Sequence, residues 1–302
     1  IFGLPRLALF DSIMNRLLSS SEREYIKQGV EQDLRADGRK RLDFRPFNLE
    51  VDIVPQAAGS ARIRLGRTDI LASIKTDIGR PDISSPSNGN ILCSVDAASG
   101  SAASAAAGSG MGAVDAEDRN RNDRLAELST TLSCILKESG GMNLTELTIV
   151  PGKHCWHVYV DVLILDEDGN LMDAIMLATR AALARTKLPG VTIEEGSEQT
   201  EIVLSDDPGK AKPISVDSVP VTVTFCQIGR TFVADASVPE EVCSEASLMM
   251  AVSKSGSILY TKKQQAGHVD PSRLMDMVHT GQKLASSIID CLDSELGKSM
   301  QQ

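Results

Sequence analysis

The chain has 302 residues, 42% of them hydrophobic, enough to bury a sizeable core as one large α/β domain or as two closely packed subdomains. No run of about 20 apolar residues occurs, which excludes a membrane-spanning helix; the apolar start at residues 7–10 is broken by Asp11 and Arg16. The net charge of -10 has the wrong sign for binding nucleic acid over the whole surface, because phosphate affinity comes largely from Lys and Arg displacing counterions, so any nucleic acid is touched locally.

The first residue is Ile, and Met14 precedes a polar segment, so residues 1–13 read as an upstream remnant and residues 1–20 as an extension outside the fold. Ser21-Glu22-Arg23-Glu24 followed by Tyr25, Ile26, Val30 and Leu34 has the polar start and spacing of a helix, stopped by Gly38. Residues 47–54 and 61–65 alternate apolar and polar side chains, and Gly66-Arg67 turns the chain into residues 70–78, which together predict a β-meander.

Residues 97–113 are almost entirely Ala, Ser and Gly, too little apolar bulk to fix a conformation, and are expected to form a flexible loop. Leu125, Leu128, Leu132, Ile135 and Leu136 recur at helical intervals, and residues 147–150 resume a strand. Residues 158–165 predict a strand buried on both faces, followed by a helix from Leu171 to about Arg185 that ends before Pro189.

Residues 191–213 are polar and acidic and contain Pro208 and Pro213, as a connection between subdomains would. A second meander follows over residues 219–226, 231–236, 248–252 and 258–260, and Pro271, Leu274, Met277, Val278, Leu284, Ile288, Ile289 and Leu292 mark a long amphipathic helix. Gly-Arg-Thr occurs between strands twice, at 66–68 and 229–231, consistent with two related halves.

Few residues carry an obvious chemistry. Six cysteines (Cys93, Cys134, Cys155, Cys226, Cys243 and Cys291) contain no CxxC pair and read as reduced, buried thiols of an intracellular protein. His154 and His157 lie an odd offset apart, which puts them on opposite faces of a strand and argues against shared metal ligation, while His268 and His279 read as surface residues. Asp166, Glu167, Asp168 and Gly169 could form a cation loop, but Gly169-Asn170 favours a tight acidic turn. Asp235, Glu240 and Glu241 could supply a general acid or a magnesium ligand; without a partner nucleophile, Pro239-Glu240-Glu241 reads better as the first turn of a helix. P-loop, dinucleotide and GxSxG signatures are absent. Arg119, Arg121 and Arg124 are the one local basic cluster, diluted by Asp115, Glu117, Asp118 and Asp123.

Ser21-Glu22-Arg23-Glu24-Tyr25-Ile26, residues 29–39, Leu65-Gly66-Arg67-Thr68-Asp69-Ile70-Leu71, His154-Cys155-Trp156, Tyr159-Val160-Asp161-Val162-Leu163 and Leu204-Ser205-Asp206-Asp207-Pro208 together resemble the RNase PH-like ring subunits of the eukaryotic RNA exosome, over about residues 21 to 290. The resemblance implies an α/β (α+β) architecture, the RNase PH fold, with two β-meander subdomains and packed helices. The first, residues 21–190, is similar to the ribosomal protein S5 domain 2-like fold; residues 191–213 connect it to the second, residues 214–302.

The resemblance also implies a ring of six such subunits, topped by RNA-binding cap subunits, through whose central channel single-stranded RNA is threaded to a separate nuclease. It implies roles in rRNA maturation and mRNA turnover, residence in nucleus, nucleolus and cytoplasm, and no cofactor, metal or membrane for this chain. In active members phosphate attacks the terminal phosphodiester and releases nucleoside diphosphates, held by a Gly-Thr-Arg turn. The matching turn is Asp168-Gly169-Asn170-Leu171-Met172, which lacks the hydroxyl and the guanidinium. Of the family's carboxylates only Asp235 and Glu241 stand at matching places, with Ser237 and Pro239 between them, and Arg124 with Glu127 matches the Arg-x-x-Glu start of the phosphate-side helix.

The expectation is therefore a scaffold with no catalytic residue, contacting RNA through Arg124, helped by Arg119 and Arg121. Two alternatives stay open: an active phosphate-dependent 3'-to-5' exoribonuclease using Asp235 and Glu241, and an adaptor that recruits decay factors through the 97–113 loop.

Overall fold

The computed structural model describes residues 18–98, 114–195, 200–205 and 207–299. Residues 1–13, and all of the 97–113 loop except Ala97 and Ala98, lie outside that set. Among the described residues no helix is long and apolar enough to cross a membrane.

The first element of the described residues is helix α1 (Ser20–Glu31), which starts one residue before the polar run and is capped by Ser19, whose Oγ accepts from the Glu22 N–H while the Glu22 carboxylate takes the Ser19 N–H at 2.7 Å. Strands β1 (Phe47–Val51), β2 (Gly59–Leu65) and β3 (Thr68–Gly79) form the expected antiparallel meander. Next come β4 (Asn90–Ala97), a strand not expected from the sequence, α2 (Val114–Ser133) with a π-helical turn at Cys134–Glu138, β5 (Thr148–Val150) and β6 (His154–Asp166). The first sheet has the order β1-β2-β3-β6-β4, with β5 also on β6; β4 is parallel to β6 and the other pairs are antiparallel.

Helix α3 (Leu171–Arg185) is buried at every position from Leu171 to Leu183, as a helix apolar on all sides must be. It packs on β2 and β3 on one side and on β11 (Val221–Ile228) on the other. Its two buried charged residues bond to the second half of the chain. Asp173 accepts from the Thr224 N–H and hydroxyl, both at 2.9 Å, and Arg180 donates to the Val216 and Val219 carbonyls and to Asp293.

Residues 191–213 are more than a connection. Gly190–Glu195 (β8) pairs with Thr200–Ser205 (β9), and Lys187–Leu188 (β7) with Lys212–Pro213 (β10). The acidic composition hides the alternation of Val191 with Ile193 and of Ile202 with Leu204, which is why the hairpin is not evident from polarity alone. The second sheet, order β12-β11-β13-β14, adds β12 (Thr231–Ala234), β13 (Ala246–Val252) and β14 (Ile258–Gln264), all antiparallel. Helix α4 (Val238–Cys243) follows β12, and α5 (Pro271–Ser299) packs on β11 and β13 from the face opposite Thr224, Gly281 meeting Met250 and Phe225.

Both Gly-Arg turns are two-residue hairpin loops, Gly66 with φ +62° and Gly229 with φ +58°, the left-handed conformation that glycine takes without steric cost. Two expectations need correction. β6 is not buried on both faces: Val158, Val160, Val162 and Ile164 enter the core, whereas Tyr159, Asp161 and Leu163 point away from both helices and stay partly or fully exposed. Only Cys155 and Cys226 among the six cysteines are buried, and Cys291 is exposed; all six are thiols.

Candidate functional site

The turn after β6 and the start of α3 meet the strand-to-helix segment 234–241 of the second half. Gly169 (φ +78°) and Asn170 (φ +54°) are both left-handed, which lets the chain fold tightly enough to touch the 236–238 backbone. A Cβ on Gly169 would lie 2.6 Å from the Ala236 carbonyl oxygen. The two carbonyls of the turn are already engaged, Asp168 O by Arg45 Nη1 at 2.9 Å and Gly169 O by the Thr68 hydroxyl at 2.9 Å.

Asp235 is fully buried beneath this turn. Its carboxylate accepts from Arg45 N–H (2.8 Å), Arg45 Nε (2.9 Å), Arg45 Nη2 (2.7 Å), Arg39 Nη1 (2.9 Å) and Asn170 Nδ2 (2.8 Å). Burial alone would push this carboxyl up; the hydrogen bonds and charge of Arg45 outweigh it and hold Asp235 below the usual carboxylate range. Next to it Glu240 receives Arg35 Nε at 2.8 Å and Nη2 at 2.5 Å. It also closes the capping box of α4 through the Ser237 N–H, so the expectation of an acidic first helical turn at 239–241 holds.

Glu241 is half-buried and stands where α3 begins, its Oε1 accepting the Asn170 N–H at 2.6 Å. Burial pushes it up to about 7, opposed in part by that N–H and by Arg124. A helix N-terminus attracts anions, and here the chain supplies its own in Glu241. The first two helical residues are the apolar Leu171 and Met172.

Arg124, on α2, pairs with Glu167 at 2.5 Å, and Arg121 Nη2 donates to the Ala97 and Ala98 carbonyls at 2.9 and 3.3 Å, closing the end of β4. Arg119 is exposed on the same helix. All three basic candidates thus lie on one helix beside the turn, two of them with intramolecular partners. A shallow hollow open to solvent lies between α2 and the turn, lined by Arg121, Arg124, Leu125, Leu128, Glu167 and Leu171. Among the described residues no group of three or more His, Cys, Asp or Glu is placed to hold a metal ion. His157 Nε2 lies 3.0 Å from the Arg80 carbonyl, and His268 and His279 are exposed.

The residues that sequence reasoning missed here are Arg35, Arg45 and Asn170. Their partners lie 205, 190 and 65 positions away, so no local spacing reveals the pairing. The one available signal was an arginine set between Phe44, Pro46 and Phe47, where a charge needs a buried partner.

Comparison with known proteins agrees over most of the chain. The model of the 3' exoribonuclease family, domain 1, matches residues 43–189, and that of domain 2 matches residues 218–283. The putative exosome complex exonuclease RRP42 of Dictyostelium discoideum is 31% identical, aligned over 92% of this chain and 98% of its own. The exosome complex component Rrp42 of Pyrococcus horikoshii is 32% identical, over 91% and 94%. Among solved structures, an archaeal exosome core superposes with a TM-score of 0.71 at 24% identity, over 94% of this chain and 98% of the other. An Archaeoglobus fulgidus exosome with RNA bound to the active site does so with 0.72 at 25%, over 89% and 97%.

Proposed function

This chain belongs to the 3' exoribonuclease family, and on that footing we propose that it is a non-catalytic ring subunit of an RNA exosome, of the type called exosome component 7 in animals. Its partners are then other RNase PH-like ring subunits and cap subunits, its compartments nucleus, nucleolus and cytoplasm, and its task to hold the ring through which single-stranded RNA passes for rRNA maturation and mRNA turnover. Arg124, with Arg119 and Arg121, is the RNA contact of this reading.

One observation carries the non-catalytic part. The anion position at the start of α3 is taken by Glu241, and Asp235, the other candidate catalytic carboxylate, is saturated by five hydrogen bonds from Arg39, Arg45 and Asn170. A carboxylate so held cannot take a metal or a proton without breaking the contact between the two halves.

The rival reading, an active phosphorolytic enzyme, draws on Glu241, whose pKa of about 7 suits a general acid. Native mass spectrometry of this chain mixed with RNase PH-type paralogues tests the scaffold role. A stoichiometric ring containing this chain supports it; a homo-oligomer that consumes RNA when phosphate is added refutes it.

A further inference from the structure

Residues 80–89 join β3 to β4. Ile83, in the middle of this loop, is 98% exposed; Asp82, Ser84 and Pro86 are exposed with it, and Ser85 is half-buried. Two turns meet at Ser85: its N–H donates to the Asp82 carbonyl at 3.0 Å, and its own carbonyl accepts from the Asn88 N–H at 3.1 Å. The loop is anchored on the C-terminal side of Ser85 only. Pro86 O takes the Gly152 N–H at 2.8 Å and Ser87 O takes the Thr148 hydroxyl at 2.6 Å, whereas residues 81–84 make no hydrogen bond to any described residue outside the loop.

Ser85 precedes Pro86, and of the 12 prolines in the chain Pro86 alone follows a serine or threonine. Proline biases the residue before it to an extended backbone, so Ser85 already has the shape of the central residue of a bound substrate strand. Proline also lacks an N–H. An enzyme pocket that offers no acceptor at the position after the target serine takes proline without loss and leaves the N–H of any other residue unpaired, so it selects serines that proline follows. The Ser85 hydroxyl makes no hydrogen bond to any described residue, and no partner has to be broken before it reacts.

We propose that Ser85 is a phosphorylation site for a proline-directed protein kinase, with a nucleoside triphosphate as the phosphoryl donor. Ser85 Oγ bonds to the γ-phosphorus as the bond from that phosphorus to the bridging oxygen breaks. The nucleoside diphosphate leaves, and the hydroxyl proton passes to the catalytic carboxylate of the kinase. The product carries a charge of about -2 three residues from Asp82, whose carboxylate stands over the turn by accepting the Ser84 N–H at 3.4 Å. Like charges so placed repel, and the 82–85 turn loosens while the anchors at Pro86 and Ser87 hold. The site is independent of the ring reading above and stands or falls without it.

The test incubates the full folded chain with magnesium ATP and a cyclin-dependent kinase and maps the product by peptide mass spectrometry. A synthetic peptide of residues 78–91 run beside it shows whether the kinase acts on this sequence. One phosphate per chain is expected at Ser85, none in Ser85→Ala, and incorporation about tenfold slower in Pro86→Ala, whose fold is checked by thermal melting. Ser84→Ala should be labelled like the unmodified chain. Hydrogen exchange at the Ser85 amide should quicken about fivefold on phosphorylation, the factor of a like-charge contact in water. Labelling of the peptide but not of the folded chain, labelling elsewhere in place of Ser85, or a rate unmoved by Pro86→Ala overturns the proposal, as does a peptide that is not labelled. Unchanged exchange at Ser85 overturns the loosening of the turn.

Discussion

Arg45 and Asp235, 190 positions apart, meet in a buried two-point pair, Nε to Oδ2 at 2.9 Å and Nη2 to Oδ1 at 2.7 Å, and the Arg45 N–H adds a third bond to Oδ2. The pair joins the segment before β1 to the end of β12, so it ties the first half of the chain to the second. Removing one partner strands the other charge in the interior. Asp235→Ala is expected to destabilise the fold by about 3–5 kcal/mol, read as a fall in the urea midpoint. A fully stable Asp235→Ala protein would show that the carboxylate is not structural.

Glu241 gives the chain a pH dependence of definite sign. Burial raises its folded pKa to about 7, above the ordinary value of a glutamate, so the folded state holds the proton more tightly than the unfolded chain. Its contribution is full below about pH 4.5 and is lost as pH rises through about 7. Asp173, raised by burial to about 6, acts in the same direction. Glu241→Gln keeps an oxygen for the Asn170 N–H and removes the titration, so urea unfolding should show a shallower stability loss between pH 5 and pH 8 than in the unmodified chain.

Arg124 gives its Nη2 to Glu167, and that contact competes with any RNA phosphate. If it lines the channel, Arg124→Ala weakens RNA retention by assembled rings and reduces the salt slope of binding by about 1. Glu167→Gln, which releases the guanidinium, should strengthen retention. Gel shifts at several salt concentrations separate these outcomes, and unchanged binding in both variants removes Arg124 from the RNA path.

Gly169 tests the tight turn. Its φ of +78° and its contact with Ala236 leave no room for a side chain, so Gly169→Ala should cost about 1–3 kcal/mol, seen as a lowered melting temperature. An unchanged melting temperature would mean that the turn and α4 are not in contact.

Much of the fold is legible in the residues because its signals are local. The spacing of Leu171 to Arg185, the alternation on β1 to β3 and the Gly-Arg hairpins all report on neighbours within a few positions. Strand β4 carried the same signal in Ile91, Cys93, Val95 and Ala97, masked by the Gly, Ser and Pro residues around it. The site was less legible, because its meaning depends on long-range partners. Asp235 and Glu241 look alike as acidic residues in a row, and only the fold shows one locked by arginines and the other closing a helix.

On the reading proposed above, the carboxylates at the α3 turn serve architecture and not chemistry. The most direct measurement is phosphate-dependent release of nucleoside diphosphates from single-stranded RNA by assembled rings carrying either the unmodified chain or Glu241→Gln, with the chain alone run beside them. No release by the chain alone and equal rates from the two rings are expected. Release by the chain alone, or a ring rate that falls a hundredfold or more with Glu241→Gln, would contradict that reading.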